Sequence, residues 1–209
     1  MSTISAKGTR LNKRGLETRR TLLDTAIRCL AEGGADSVSA NRVAREAGVT
    51  WGTVQHQFGD VDGLWAAVLT EVSSHGPFVD RPPIEASLPE RVVEVVELLW
   101  DAMGTAYARA VFNLRNALPH DRSVLEADYP RSAEAIAGWD RGFTEACEKA
   151  FHGMGVDPVR LRRAKELLPG ALRGLQVEQQ LGTYTDVEEA RRGFADALVA
   201  YLARGSSTE

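Results

Sequence analysis

Thr50, Trp51, Thr53, Gln55, His56 and Gln57 bring hydroxyl, indole, amide and imidazole groups into one short stretch of the chain. Side chains of this kind hydrogen-bond to base edges or stack on them, which is what a surface that reads a nucleic-acid groove requires. Just upstream, Ser39, Asn41 and Arg42 offer a hydroxyl, an amide and a guanidinium, all of which bind phosphate oxygens. Arg42 falls inside the first turn of a short helix, where the helix dipole disfavours a cation and a Glu would complete a capping box. A phosphate at that helix end reverses the sign of the argument; the other reading of Arg42 is a solvated surface cation. No competing chemistry is visible. There is no Gly-rich phosphate loop, no Cys/His ligand spacing and no nucleophile elbow, and His56, His75, His120 and His152 are scattered. No cofactor, metal or catalytic residue is therefore expected.

The elements that must position these groups follow from local sequence. Ser39 is an N-cap for a short helix, and Val43, Ala44 and Ala47 share one of its faces. Gly48 comes just after the last apolar position, where a left-handed residue ends a helix at little cost. Val49 turns inward, Thr50 caps a second helix from about Trp51 to Gln57, and Val54 and Phe58 anchor that helix to the core. Trp51, Thr53, Gln55, His56 and Gln57 are left facing outward. Asp60 caps a longer helix whose Val61, Leu64, Trp65, Val68, Leu69 and Val72 keep helical spacing. Two short helices around a glycine turn, followed by an amphipathic helix, make a helix-turn-helix.

The run Ala47-Gly48-Val49-Thr50-x-Gly52-Thr53-Val54-x-His56-x-Phe58, with Leu64 after it, resembles the signature of TetR-type transcriptional regulators. The preceding helix, with Leu22, Leu23, Ala26, Ile27, Leu30 and then Gly33-Gly34, resembles the first helix of that family. The resemblance covers roughly residues 18 to 72. It implies an operator-binding homodimer whose C-terminal domain takes a small-molecule effector. Two positions depart from the family pattern: Gln55 stands where an aromatic, most often Tyr, is usual, and Val61 where a Lys is usual. Both family residues commonly touch phosphates, so fewer backbone contacts or a different operator geometry are expected here.

The 209 residues are 44% hydrophobic and 26% charged, ordinary for a soluble globular protein. No stretch approaches a membrane span, and Met1 to Gly15 has no apolar core of a secretory signal. Cys29 and Cys147 lie in helical apolar patterns and read as buried thiols of a reducing cytoplasm. The net charge of −4 hides an asymmetry: residues 1 to 60 carry +3 and the remainder −7. A basic head on an acidic body fits a DNA-binding domain joined to one that does not touch DNA. Arg10, Lys13 and Arg14 belong to a basic segment over residues 1–15, read as a flexible arm that settles on phosphates or in a minor groove, or else as an ordinary solubilising tail.

Beyond the arm, residues 16–76 read as the DNA-binding domain, 77–87 as a Pro-rich linker, 88–204 as a ligand-binding and dimerisation domain, and 205–209 as a tail. In the body, Trp100, Met103, Tyr107, Phe112, Trp139 and Phe143 fall on three helices expected to face each other. They could line an apolar cavity, with polar points from Asn113, Arg173, Gln176 or Gln179, or be plain core. The stripes Leu161, Leu168, Leu172, Leu175 and Phe194, Leu198, Tyr201 are expected to pair with their copies in a dimer, or else to close a monomer core. Glu90, Glu94, Glu97 and Asp101 form one acidic stripe, read as solvated unless one carboxylate faces the cavity. The expected protein is an all-α, homodimeric repressor of a palindromic double-stranded operator, released by an effector. A constitutive or architectural DNA binder without a ligand, and a helical-bundle enzyme, are the competing classes.

Overall fold

The computed structural model describes residues 8, 10–33, 37–74 and 85–203. Lys7 of the basic segment, Gly34, the bulk of the Pro-rich linker and the tail lie outside them. Ten α-helices follow one another among the described residues: α1 Lys13–Glu32, α2 Ala40–Glu46, α3 Trp51–Phe58, α4 Val61–Ser73, α5 Leu88–Met103, α6 Ala106–Ala117, α7 Arg122–Asp128, α8 Pro130–Ala150, α9 Pro158–Gln180 and α10 Val187–Ala203. None is long and apolar enough to cross a membrane. The chain divides into two compact units.

The first unit holds residues up to 76 together with 105–139. Its core is the apolar face of α1 (Leu22, Ala26, Ile27, Leu30) against Val43, Val54 and Phe58 of the motif and Leu64, Trp65, Val68 and Leu69 of α4. The Pro-rich residues 77–87 mark a domain boundary in the sequence, yet α6, beyond it in the chain, also serves this core. Ala110, Val111 and Leu114 bury their side chains in it, and Asn113 donates from Nδ2 to Leu30 O at 2.7 Å. Leu30 O, which also accepts from the C-cap Gly33 N at 3.2 Å, thus takes its second donor from Asn113, whose amide nitrogen is committed to the end of α1. Tyr129 separates α7 from α8, which opens at Pro130.

One boundary moved because of a cap. Residues 1–15, Lys13 and Arg14 among them, read from the sequence as a flexible arm. Asn12 accepts from Gly15 N at 2.9 Å and opens α1 at Lys13, inside that segment. Lys13 and Arg14 therefore sit, exposed, in the first helical turn.

The second unit comprises residues 77–104 and 140–209. Val92, Val95, Val96 and Leu99 of α5 meet Ala164, Leu168 and Leu172 of α9 and Ala195, Leu198 and Leu202 of α10. Ser87 and Glu90 form the cap of α5, and Asp157-Pro158 opens α9. Leu168, Leu172 and Leu198, expected at a dimer interface, are fully turned into this core. Leu161, Phe194 and Tyr201 are half-buried against it, and Leu175 is half-buried as well. The stripe periodicity was sound, but α5 of the same chain occupies the face it defines. The outward faces carry other residues: Leu167 is 56% exposed, and Gly170, Gly174, Gly193, Ala197 and Ala200 are exposed with it. In the acidic stripe of α5, Glu94 pairs with Arg91 at 2.8 Å and Glu97 with Arg191 at 3.0 Å, so neither carboxylate is left to select a cation. Both cysteines are free and buried, Cys29 in the first unit and Cys147 in the second.

Candidate nucleic-acid interface

The site is built on α2, the turn after it and α3. Ser39 Oγ accepts from Arg42 N at 3.2 Å and starts α2. Gly48 adopts φ +66°, the left-handed geometry the turn demands. Val49 N then donates to Ala44 O at 3.0 Å, closing the turn. Thr50 Oγ1 accepts from Thr53 N at 3.3 Å and opens α3. Trp51, Thr53, Gln55 and His56 come out on one stretch of helix, with Gln55 and His56 exposed and Trp51 and Thr53 half-buried. Trp51 packs partly against the core, and Thr50 and Thr53 share a hydroxyl–hydroxyl bond of 3.2 Å. Asn41 is exposed at the start of α2.

Gln57 departs from expectation. It is only 4% exposed, because its position on α3 turns toward α1 rather than outward. Its Nε2 donates to Gly15 O at 3.2 Å, and its carbonyl accepts from Arg19 Nη1 at 2.9 Å. Gln57 fastens α3 to the first turns of α1 and offers no group to a groove.

Arg42 lies on the expected surface but is already engaged. Its Nε donates to Glu46 Oε1 at 2.6 Å and its Nη2 to Glu32 Oε2 at 2.5 Å. Glu46 also receives Arg28 Nη1 at 3.0 Å and the Cys29 thiol at 3.3 Å. The network ties α1 to α2, and a phosphate approaching Arg42 would compete with two carboxylates. Arg10, Lys13, Arg14 and Arg45 are exposed cations of the same unit. Arg45 was not singled out by sequence, although its place in the last turn of α2 favours a cation.

Hydrogen bonds from Arg42 above all, then from the Cys29 thiol and Arg28, hold the Glu46 carboxyl down at about 2 against an ordinary 4.5. A carboxyl whose folded pKa is depressed contributes stability in full above its unfolded pKa, and loses it as the pH falls through the folded one. Glu46→Gln is expected to lower the melting temperature near neutral pH, with the gap to the parent closing between pH 4.5 and about 2. Melts across that range check it; a gap independent of pH would mean that the charge on Glu46 is not what stabilises the fold, and no gap at all that the network adds no stability.

The residues expected to line a ligand cavity are divided between the units. Tyr107 and Phe112 are exposed in the first, where Trp139 packs half-buried against the core. Trp100, Met103 and Phe143 pack half-buried in the second, Arg173 is exposed, and buried Gln176 donates from Nε2 to Trp100 O at 3.3 Å. A cavity inside the second unit is lined by Val92, Val95, Cys147, Phe151 and Lys165 among others, and by none of the eight expected residues. At about 10 Å³ it has room for about one water.

Comparison with known proteins agrees with the head and the fold. The family model described as bacterial regulatory proteins, tetR family, matches residues 22–68. The HTH-type transcriptional regulator AqdR of Rhodococcus erythropolis is 31% identical over 103 residues, 49% of this chain and 50% of that protein. The chain spans half or less of the length of the curated relatives it matches. Salmonella enterica GusR superposes with a TM-score of 0.64 at 22% identity, covering 95% of this chain and 99% of that one. A member of the TetR family from Streptomyces coelicolor A3 gives 0.62 at 21% identity, covering 89% and 98%. The architecture they share is all-α, with an N-terminal helix-turn-helix domain followed by a helical C-terminal domain.

Proposed function

We infer, from a chain whose head is of the tetR family of bacterial regulatory proteins and whose fold recurs in solved members, that this protein is a DNA-binding transcriptional regulator. In this reading it represses by occupying a palindromic double-stranded operator as a homodimer. The observation that carries it is α3, capped by Thr50 and presenting Trp51, Thr53, Gln55 and His56 beyond a tight turn. Ser39, Asn41 and the cations Arg10, Lys13 and Arg14 hold phosphates around that helix, and Arg42 joins them only where a phosphate displaces Glu32 or Glu46. Two such heads read half-sites about one helical turn apart. The outward face of α9 and α10, with Leu167, Gly170, Gly174 and Gly193, is where the copies meet, because small residues admit a close helix.

The test is fluorescence anisotropy with the DNA upstream of the protein's own gene, against scrambled competitor, at two salt concentrations. Tight binding that resists competitor is expected. Binding that ignores sequence and collapses with salt would reduce the protein to a non-specific binder. Trp51→Ala is expected to weaken operator binding more than non-specific binding; equal losses on both DNAs would make Trp51 a packing residue only. Gly174→Glu is expected to shift the solution mass to that of one chain, and an unchanged mass would place the interface elsewhere.

Release by a small-molecule effector completes the proposal. A ligand shifts operator occupancy only if it favours one arrangement of the heads over another. The small cavity of the second unit favours a second reading, a DNA binder without a ligand. Titrating the operator complex with candidate ligands at constant salt separates the two.

A further inference from the structure

Two guanidinium groups hold the C-terminal end of α3. The last carbonyls of a helix have no donors within it, and cations there complement its dipole. Arg19 of α1 donates to Gln57 O and lies 4.3 Å from the centroid of the Phe58 ring. Arg131 of α8 donates from Nη1 to Phe58 O at 3.1 Å.

Arg131 is itself fixed from three sides. Its backbone N–H donates to Asp62 Oδ2 at 3.0 Å and its Nε to the same oxygen at 3.2 Å, while Nη2 pairs with Asp60, the N-cap of α4. Next to it, Ser132 N donates to Asp62 Oδ1 at 2.9 Å and Ser132 Oγ to Asp62 O at 3.3 Å. Asp62 is 7% exposed and Ser132 not at all. One buried carboxylate thus caps the start of α8 from within the first turn of α4. Gly63 leaves the space this requires, since a Cβ there would stand 2.0 Å from Phe58 O and 2.6 Å from Arg131 Nη1. No local signal joins residues some seventy positions apart, and the sequence singled out neither Arg131 nor Asp62.

We propose that Arg131 is a positioning residue for DNA reading: it joins Phe58 O to Asp60 and Asp62, so that the placement of α3 is set by where α8 begins. A planar guanidinium with several donors in fixed directions can serve all three acceptors at once; a lysine ammonium on a flexible stem cannot. This rests on the reading that α3 enters the groove, and the test separates the two.

Arg131→Lys and Arg131→Ala are made in the full-length protein and followed by hydrogen exchange without DNA. Operator and scrambled-DNA affinities are measured well below the melting temperature. Exchange of α3 amides is expected to rise by about tenfold or more in both variants, with α1 unchanged. The ratio of operator to scrambled affinity is expected to fall by about tenfold, with non-specific binding retained. Uniformly faster exchange across α1 to α3 with a lower melting temperature would reduce Arg131 to general packing and overturn the proposal. So would Arg131→Lys that keeps parental α3 exchange and operator preference. Should the parent prefer no DNA, the functional reading fails, and parental α3 exchange in the variants would overturn the positioning of α3 by Arg131 as well.

Discussion

Trp65→Ala is expected to remove about 3–5 kcal/mol of stability from the first unit. Trp65 is 1% exposed in α4 and belongs to the core that α1, α3 and α6 complete. Its truncation forfeits apolar burial and leaves a cavity that rigid neighbouring helices cannot fill. Domains of this size are stable by about 5–15 kcal/mol, so a large part of the margin goes with one side chain. Thermal melts and operator binding should fail together on warming. A melting temperature within a degree or two of the parent would show that this core repacks freely.

Gly63→Ala is expected to go against helix propensity. Replacing a helical glycine with alanine ordinarily stabilises by about 1 kcal/mol. At Gly63 the added methyl would sit 2.0 Å from a backbone carbonyl, Phe58 O, which cannot swing aside as a side-chain tip can. Overpacking of this kind costs about 1–3 kcal/mol, and the strain falls on the α3–α4 junction. Operator affinity should therefore drop further than stability. Gly52→Ala is the internal control: Gly52 is exposed and the nearest atom to a Cβ there, Thr50 Oγ1, is 3.7 Å away. Gly52→Ala should keep or raise the melting temperature. Equal melting temperatures for the two variants would contradict the geometry at Gly63.

The difference between these glycines shows what could be read in the sequence. Ser39, Gly48, Thr50 and Asp60 act within three or four residues of themselves, so their caps and turn were legible and appear where expected. The apolar spacing of α1 and α4 likewise marked the core face. Contacts with distant partners were not legible. Leu168, Leu172 and Leu198 showed a correct stripe, but nothing local says whether a stripe meets its own chain or a second copy. The sequence turns Gln57 outward with its polar neighbours, and only the position of Gly15 and Arg19 of α1 shows that it faces in. The start of α1 was missed for a smaller reason: the Asn12 cap sits among basic residues that read as an arm.

The two cysteines provide a measure of motion that needs no added label site. Thiolate, not thiol, attacks an alkylating reagent, and burial pushes the Cys147 thiol up to about 12. Burial, followed by its bond to Glu46, raises that of Cys29. Each unit thus carries one thiol that reacts only while its surroundings part. Because Cys147 lines the cavity of the second unit, its modification rate at low reagent reports the fraction of time that unit stands open wide enough to admit a small molecule. Cys29 reports the same for the head, so one mass spectrum taken over time gives two separate clocks from the unaltered chain.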